Sequence, residues 1–194
     1  MTKITVGGVP EHFNYPWHIA IREQLFEKEG IQVEWIDFYG GTGELSEALK
    51  NNEIDIAIML TEGIVKEIIE GSKPVIAKVH GAAFAAGCQL VASCDLAISS
   101  DDAIFATPGV NIGLFCSTPM VAVSRKVNRK RTMKMLLTGD SINADHAKEI
   151  GLINDHFPIS RLEDEVLNLA KKIASKSNLT IKIGKKAFYK QLEM

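Results

Sequence analysis

Between residues 81 and 95 the chain reads GAAFAAGCQLVASCD, a run of small residues leading straight into a helix-forming stretch. Ala82, Ala83, Ala85, Ala86 and Gly87 would let a carbonyl oxygen come close to the main chain. The first N–H groups of the following helix have no intrahelical acceptor, and its positive end favours negative charge. The chemistry on offer is stabilisation of an oxyanion by backbone donors. Gln89 stands where a carboxylate is expected if the loop served proton transfer. An amide can orient a water, but it takes no proton at neutral pH. The same small residues also suit a tight helix–strand contact.

Other reactive side chains carry weaker signals. Cys116, Ser117 and Thr118 follow FATPGVNIGLF, but a nucleophilic Cys116 needs a base and no His lies near it in sequence. A small buried thiol is the simpler expectation. Cys88 and Cys94 are expected to face the core, and the three cysteines show no metal-type spacing. His80 ends a strand, where a structural role is expected, whereas His146 and His156 are expected to be exposed. Asp95 suits turn or cap bonding. RKVNRKR (125–131) reads as a solvated corner between helices or as a phosphate contact.

The elements that must position these residues fall into two halves. Residues 1–72 alternate as strand (3–9), helix (17–30), strand (31–38), helix (41–53), strand (54–60) and helix (61–71), an order that favours parallel strands. From Lys73 the pattern becomes a strand (73–81), the small-residue loop, a buried helix and a strand (96–99). A mostly irregular stretch (105–118) comes next, and then almost only helix. Gly71-Ser72-Lys73-Pro74 is the one plausible seam. The fold class expected is α/β.

Bulk properties exclude several classes. A formal net charge of -2 and 24% charged residues give no electrostatic case for nucleic acid or an anionic membrane. No apolar run approaches the ~20 residues needed to span a bilayer. A reducing cytoplasm fits three unpatterned cysteines, with a mitochondrial matrix origin left open.

KPVIAKVHGAAFAAGCQLVASCDLAISSDDAIFATPGVNIGLF resembles the crotonase (enoyl-CoA hydratase/isomerase) family, over about residues 73–194. That resemblance implies a ββα spiral, a homotrimer, and acyl-CoA as ligand, with coenzyme A as part of the substrate and no separate cofactor. It implies an oxyanion donor at the N–H of Ala86, with Gly87 beside it. Hydratases of the family carry glutamates where this chain has Gln89 and Gly109, as in a poorly characterised branch that departs at the same places. Weak or no hydratase activity is therefore expected. By the same resemblance Ala82, Ala83, Phe84, Asn111, Leu114 and Cys116 would border the acyl group. Lys185, Lys186, Phe188 and Tyr189 would help cover the nucleotide, although their spacing also fits an amphipathic surface helix. The second oxyanion donor should come from a loop upstream of KPVI. Only TEGIVKEIIEGS lies there, so that donor is expected to be missing.

Residues 1–70, with LFEKEGI, GGTGE and NNEIDIAI, resemble the start of a periplasmic-binding-protein-like domain of the nitrate/sulfonate/thiamine-precursor type. This implies an alternative ligand site for a small anion or heterocycle at His12, Phe13, Asn14, Trp17, Thr42 and Glu62. Gly40, Gly41 and Gly43 would add N–H groups at a helix start. Trp17 and Phe13 equally suit the core. Natural fusion, chimera and inactive scaffold stay open for the joined chain.

Overall fold

Three short apolar runs of the first half pair as parallel strands in the computed structural model, which describes residues 1–192. Strand β1 (Thr2–Gly8) lies between β2 (Ile31–Asp37) and β3 (Ile56–Ile58), with Val6 opposite both Trp35 and Ile56. Helices α1 (Tyr15–Arg22), α2 (Thr42–Lys50) and α3 (Thr61–Glu70) follow the three strands in turn. The central strand ends in glycine because helix and sheet approach there without room for a side chain. A Cβ on Gly7 would sit 2.6 Å from Leu45, and one on Gly8 would sit 2.4 Å from the Trp35 ring. Leu45, Phe38, Val9, Ala48 and Ile54 form the core on this side.

The helix expected over 17–30 stops at Arg22. Gln24 adopts a left-handed φ of 54°, and a 3-10 turn over Glu27–Glu29 completes the segment. Phe26 thereby stacks on Trp17 at 5.6 Å, with Trp35 tilted 6.1 Å from the same indole.

Met1–Ile64 forms one compact unit and a second begins at Val65, within α3. Gly71–Pro74 leads into β4 (Ile76–Val79) inside the second unit. The strand expected over 73–81 is two strands, because Gly81 turns the chain with a φ of 66° into β5 (Ala82–Phe84). Helix α4 (Ala86–Ser93) closes this ββα turn. Strands β6 (Leu96–Ser100) and β7 (Ile104–Ala106), with α5 (Ser117–Ser124), make the next turn. β4 pairs parallel with β6 and β5 parallel with β7, so each turn stacks on the one before it.

Part of the stretch expected to be irregular is thus β7 and a 3-10 helix over Pro108–Ile112. After α6 (Arg129–Thr138), β8 (Ile142–Asn143) closes antiparallel on β7. After α7 (Ala144–Glu149), β9 (Asp155–Phe157) adds parallel to β6. Asn128 and Asn143 cap α6 and α7 by accepting the N–H groups of Arg131 and His146. Helices α8 (Ile159–Ala174) and α9 (Asn178–Leu192) end the described chain. Phe105, fully buried among Cys88, Val123 and Met135, anchors the core, and truncating it to Ala would cost about 3–5 kcal/mol. No helix among the described residues is long and apolar enough to cross a membrane.

Candidate functional site

The small-residue loop gains its shape from strand pairing. Ala85 N–H donates to Ala106 O at 3.0 Å, continuing the β5–β7 ladder one residue past Phe84. Ala85 then turns with φ 47° and ψ −113°, a left-handed conformation that a Cβ disfavours, and α4 starts at Ala86. The amides of Ala86 and Gly87 are first-turn donors, and neither gives its hydrogen to another group among the described residues. Ala82, Phe84 and Ala86 are exposed, while Ala83 is buried under the loop. The arrangement leaves two backbone donors at the positive end of a helix without an acceptor among the described residues.

Gln89 lies one turn on. It is 5% exposed, its N–H closes the first helical bond to Ala85 O, and its Oε1 is buried without a partner among the described residues. Gly109 sits inside the 3-10 turn, where the chain folds back on itself. Its N–H donates to Cys116 Sγ at 3.3 Å and its carbonyl accepts Leu114 N–H at 2.9 Å. A Cβ at this position would lie 2.3 Å from Leu114 O and 2.8 Å from Cys116 Sγ, so no side chain fits without moving the loop. Gly87 is different, since a Cβ there would only reach ordinary contact with Ala83 at 3.9 Å.

Cys116 is buried, and the one hydrogen bond to its thiol among the described residues comes from Gly109 N–H, while its carbonyl accepts Met120 N–H at 3.0 Å. Burial, with the Cys116 thiol nearby, pushes the Cys88 thiol up to about 12. Both are inert core thiols in this geometry. Asn111 and Leu114 are exposed, and a Cβ on Gly139 would touch the Asn111 amide at 2.9 Å.

Several side chains occupy places other than those expected. Asp95 is no local cap. Its Oδ2 accepts Val75 N–H and Lys185 Nζ, each at 2.7 Å, and its Oδ1 accepts the Tyr189 hydroxyl at 2.8 Å. Lys185 also donates to the carbonyls of Ile68 and Lys73, so its ammonium is fully engaged and unavailable to a phosphate. Lys186 and Phe188 are exposed on α9. His146 and His156 are half-buried rather than exposed. His146 meets Arg131 and Glu149, while His156 bridges Asp101 at 2.7 Å and Asp145 at 3.3 Å. His80 is exposed. No group of three or more His, Cys, Asp or Glu among the described residues is arranged for a metal.

In the first unit the alternative ligand residues serve the fold. Trp17 is packed between Phe26 and Trp35. Asn14 is buried, its Nδ2 donating to Val9 O while its Oδ1 has no partner. The glycine turn is filled by its own chain: Gly40 N–H donates to Glu44 Oε2 at 2.8 Å and Gly41 N–H to Phe38 O. Thr42 packs against Gly63. His12 and Glu62 are left facing solvent, with Phe13 edge-on to His12.

The second unit also holds a cavity of about 310 Å³ that the sequence did not reveal, lined in part by Gln89, Ala92 and Ser93 of α4. The wall includes Arg125 and Lys126, whose basic stretch was the one visible signal.

The family profile described as enoyl-CoA hydratase/isomerase matches residues 42–194. The chain belongs to the enoyl-CoA hydratase/isomerase family. The match takes in residues 42–72, which the resemblance of the first half assigned to a different family. The rat protein named enoyl-CoA hydratase domain-containing protein 3, mitochondrial, is 56% identical over 119 residues, 61% of this chain and 40% of that protein. Its human counterpart is also 56% identical, over 61% of this chain and 39% of that protein. The crystal structure of human enoyl coenzyme A hydratase domain-containing protein 3 superposes with a TM-score of 0.67 at 40% identity, covering 84% of this chain and 66% of that one. An enoyl-CoA hydratase from Mycobacterium smegmatis gives a TM-score of 0.68 at 38% identity, over 84% of this chain and 65% of that one. The chain spans about two fifths of the length of the curated relatives it matches. The stacked ββα turns are the enoyl-CoA hydratase/isomerase architecture, and Gln89 and Gly109 stand within it without a carboxylate between them.

Proposed function

We propose that this member of the enoyl-CoA hydratase/isomerase family binds acyl-CoA thioesters and does not hydrate them. The observation that carries the reading is the pair of amides at Ala86 and Gly87, in the first turn of α4, that have no acceptor among the described residues. A thioester oxygen placed against them gains both hydrogen bonds and the helix dipole, worth about 3 kcal/mol per donor where negative charge develops. Ala86, Gln89 and Ser93 share one face of α4 at intervals of three and four residues, so an acyl chain leaving the carbonyl would run along that face into the cavity.

Hydration needs one group to activate water and one to deliver a proton. Gln89 can orient a water but holds no exchangeable acid or base, and Gly109 has no side chain at all. Between β3 and β4 the chain supplies only α3 and a short link, which supports a hole with a single donor segment. Coenzyme A enters as part of the ligand.

Calorimetric titration with octanoyl-CoA tests the reading. The native chain should bind it, and Ala86→Pro should weaken binding at least about ten-fold, because proline at the first helical position removes the donor while keeping the helix. Crotonyl-CoA should show no hydration above background. Absence of any acyl-CoA binding to the native chain would end the proposal.

A further inference from the structure

The cavity of about 310 Å³ lies within the second unit between α3, α4, α5 and α9. Val65, Ile69, Ala92, Val121, Ala122 and Leu192 give it a hydrocarbon wall. Two cations, Arg125 and Lys126, stand in the same wall, and neither forms an ion pair with a carboxylate among the described residues. Several basic side chains of this unit pair with acids, among them Lys78 with Glu163, Arg131 with Glu149, Lys148 with Asp155 and Lys185 with Asp95. Among those that do not, Lys126 is set apart by its burial, whereas Arg125 is exposed at the cavity's edge. Lys126 is half-buried, with its Nζ 5.9 Å from the centre of the Tyr189 ring.

A half-buried ammonium beside hydrocarbon loses hydration, and a carboxylate in the cavity would restore its partner. The oxyanion donors lie at the start of α4, and Ser93 at its end, about 10 Å along the helix axis, lines the same cavity as Lys126. We infer that the cavity takes an acyl chain ending in a carboxylate, an ω-carboxyacyl thioester whose far end pairs with Arg125 and Lys126. The inference rests on the thioester reading and narrows it to a class of substrate. An unsubstituted fatty acyl chain would leave both cations unmatched.

The test compares suberoyl-CoA, which ends in a carboxylate, with octanoyl-CoA of the same chain length, by calorimetric titration of the full chain. The native protein should prefer suberoyl-CoA by about ten-fold, the order of one charge-assisted hydrogen bond. In the Arg125→Gln, Lys126→Gln double variant the ratio should fall towards one, whereas Arg129→Gln, altering an exposed cation on the next helix, should keep it. Equal affinity in the native chain, or a preference that survives the double substitution, overturns this inference while the thioester reading stands. Failure of both ligands to bind overturns both.

Discussion

Lys185 Nζ lies 2.7 Å from Asp95 Oδ2 across ninety residues of chain, with the two side chains 6% and 15% exposed. The same carboxylate holds Val75 N–H and the Tyr189 hydroxyl, and the same ammonium holds the carbonyls of Ile68 and Lys73. One cluster therefore joins α9 to the end of α3, to the start of β4 and to Asp95 in the link between α4 and β6. Burial, with Asp95 accepting its hydrogen bond, raises the pKa of the Tyr189 phenol, so it stays a neutral donor. Tyr189 and Leu192 also wall the cavity, so the cluster sets the position of that wall.

Removing one partner of this pair should be severe. Asp95→Ala leaves a buried ammonium without its counter-charge, at a cost of about 3–5 kcal/mol in urea unfolding. Asp95→Leu combined with Lys185→Met should recover much of the loss, because two apolar residues leave no charge to satisfy. A loss below about 1 kcal/mol for Asp95→Ala would mean that α9 is not held by this pair.

Ala85 carries local strain. At φ 47° its Cβ is disfavoured, and glycine is the residue that conformation suits. Ala85→Gly should raise stability by about 1 kcal/mol, the relief outweighing the added freedom of the unfolded chain. The check is a higher urea midpoint at constant slope; a lower midpoint would contradict it.

Restoring carboxylates should not restore hydration. Gly109→Ala alone places a Cβ 2.3 Å from Leu114 O and should cost about 1–3 kcal/mol. The pair Gln89→Glu and Gly109→Glu should melt lower than the native chain and leave crotonyl-CoA hydration at background. Sustained turnover by the double variant would show that the loop over 109–116 yields more readily than its bonds suggest.

Acid should remove a defined part of the stability. Hydrogen bonds from His146 and Arg131 hold Glu149 below its ordinary value of 4.5, and a bond from Lys148 holds Asp155 below 3.8. Both carboxyls are depressed in the folded chain, so their contribution is present above the unfolded values and lost as pH falls through the folded ones. The melting temperature of Glu149→Gln should lie below that of the native chain at pH 7. The gap should close as pH drops below 4.5 towards the folded value of Glu149. A gap independent of pH would assign the effect to packing instead.

The α/β class, the parallel first sheet and the helix after the small-residue loop were legible because each depends on residues near one another in the chain. Strands β7, β8 and β9 were not. They are three, two and three residues long, too short for alternation to register, and exist because Phe105 meets Ile142 and Ile98 meets Asp155. Lys185 and Tyr189 looked like surface candidates for the same reason: their acceptor is ninety or more residues away. The glycine turn at 40–43 looked ready for an anion, but Glu44, in the next turn, already supplies one.

The order of residues alone specifies a helix start after the small-residue loop and the presence of Gln89 and Gly109 rather than carboxylates, since a helix start and a side-chain identity are local properties. It takes packing to show that a side chain at 109 would strike Leu114 O, that Asp95 serves α9, and that two cations without a carboxylate partner among the described residues share a cavity with hydrocarbon. Steric room, counter-charge and enclosed volume all arise from residues far apart in sequence, and no local pattern records them.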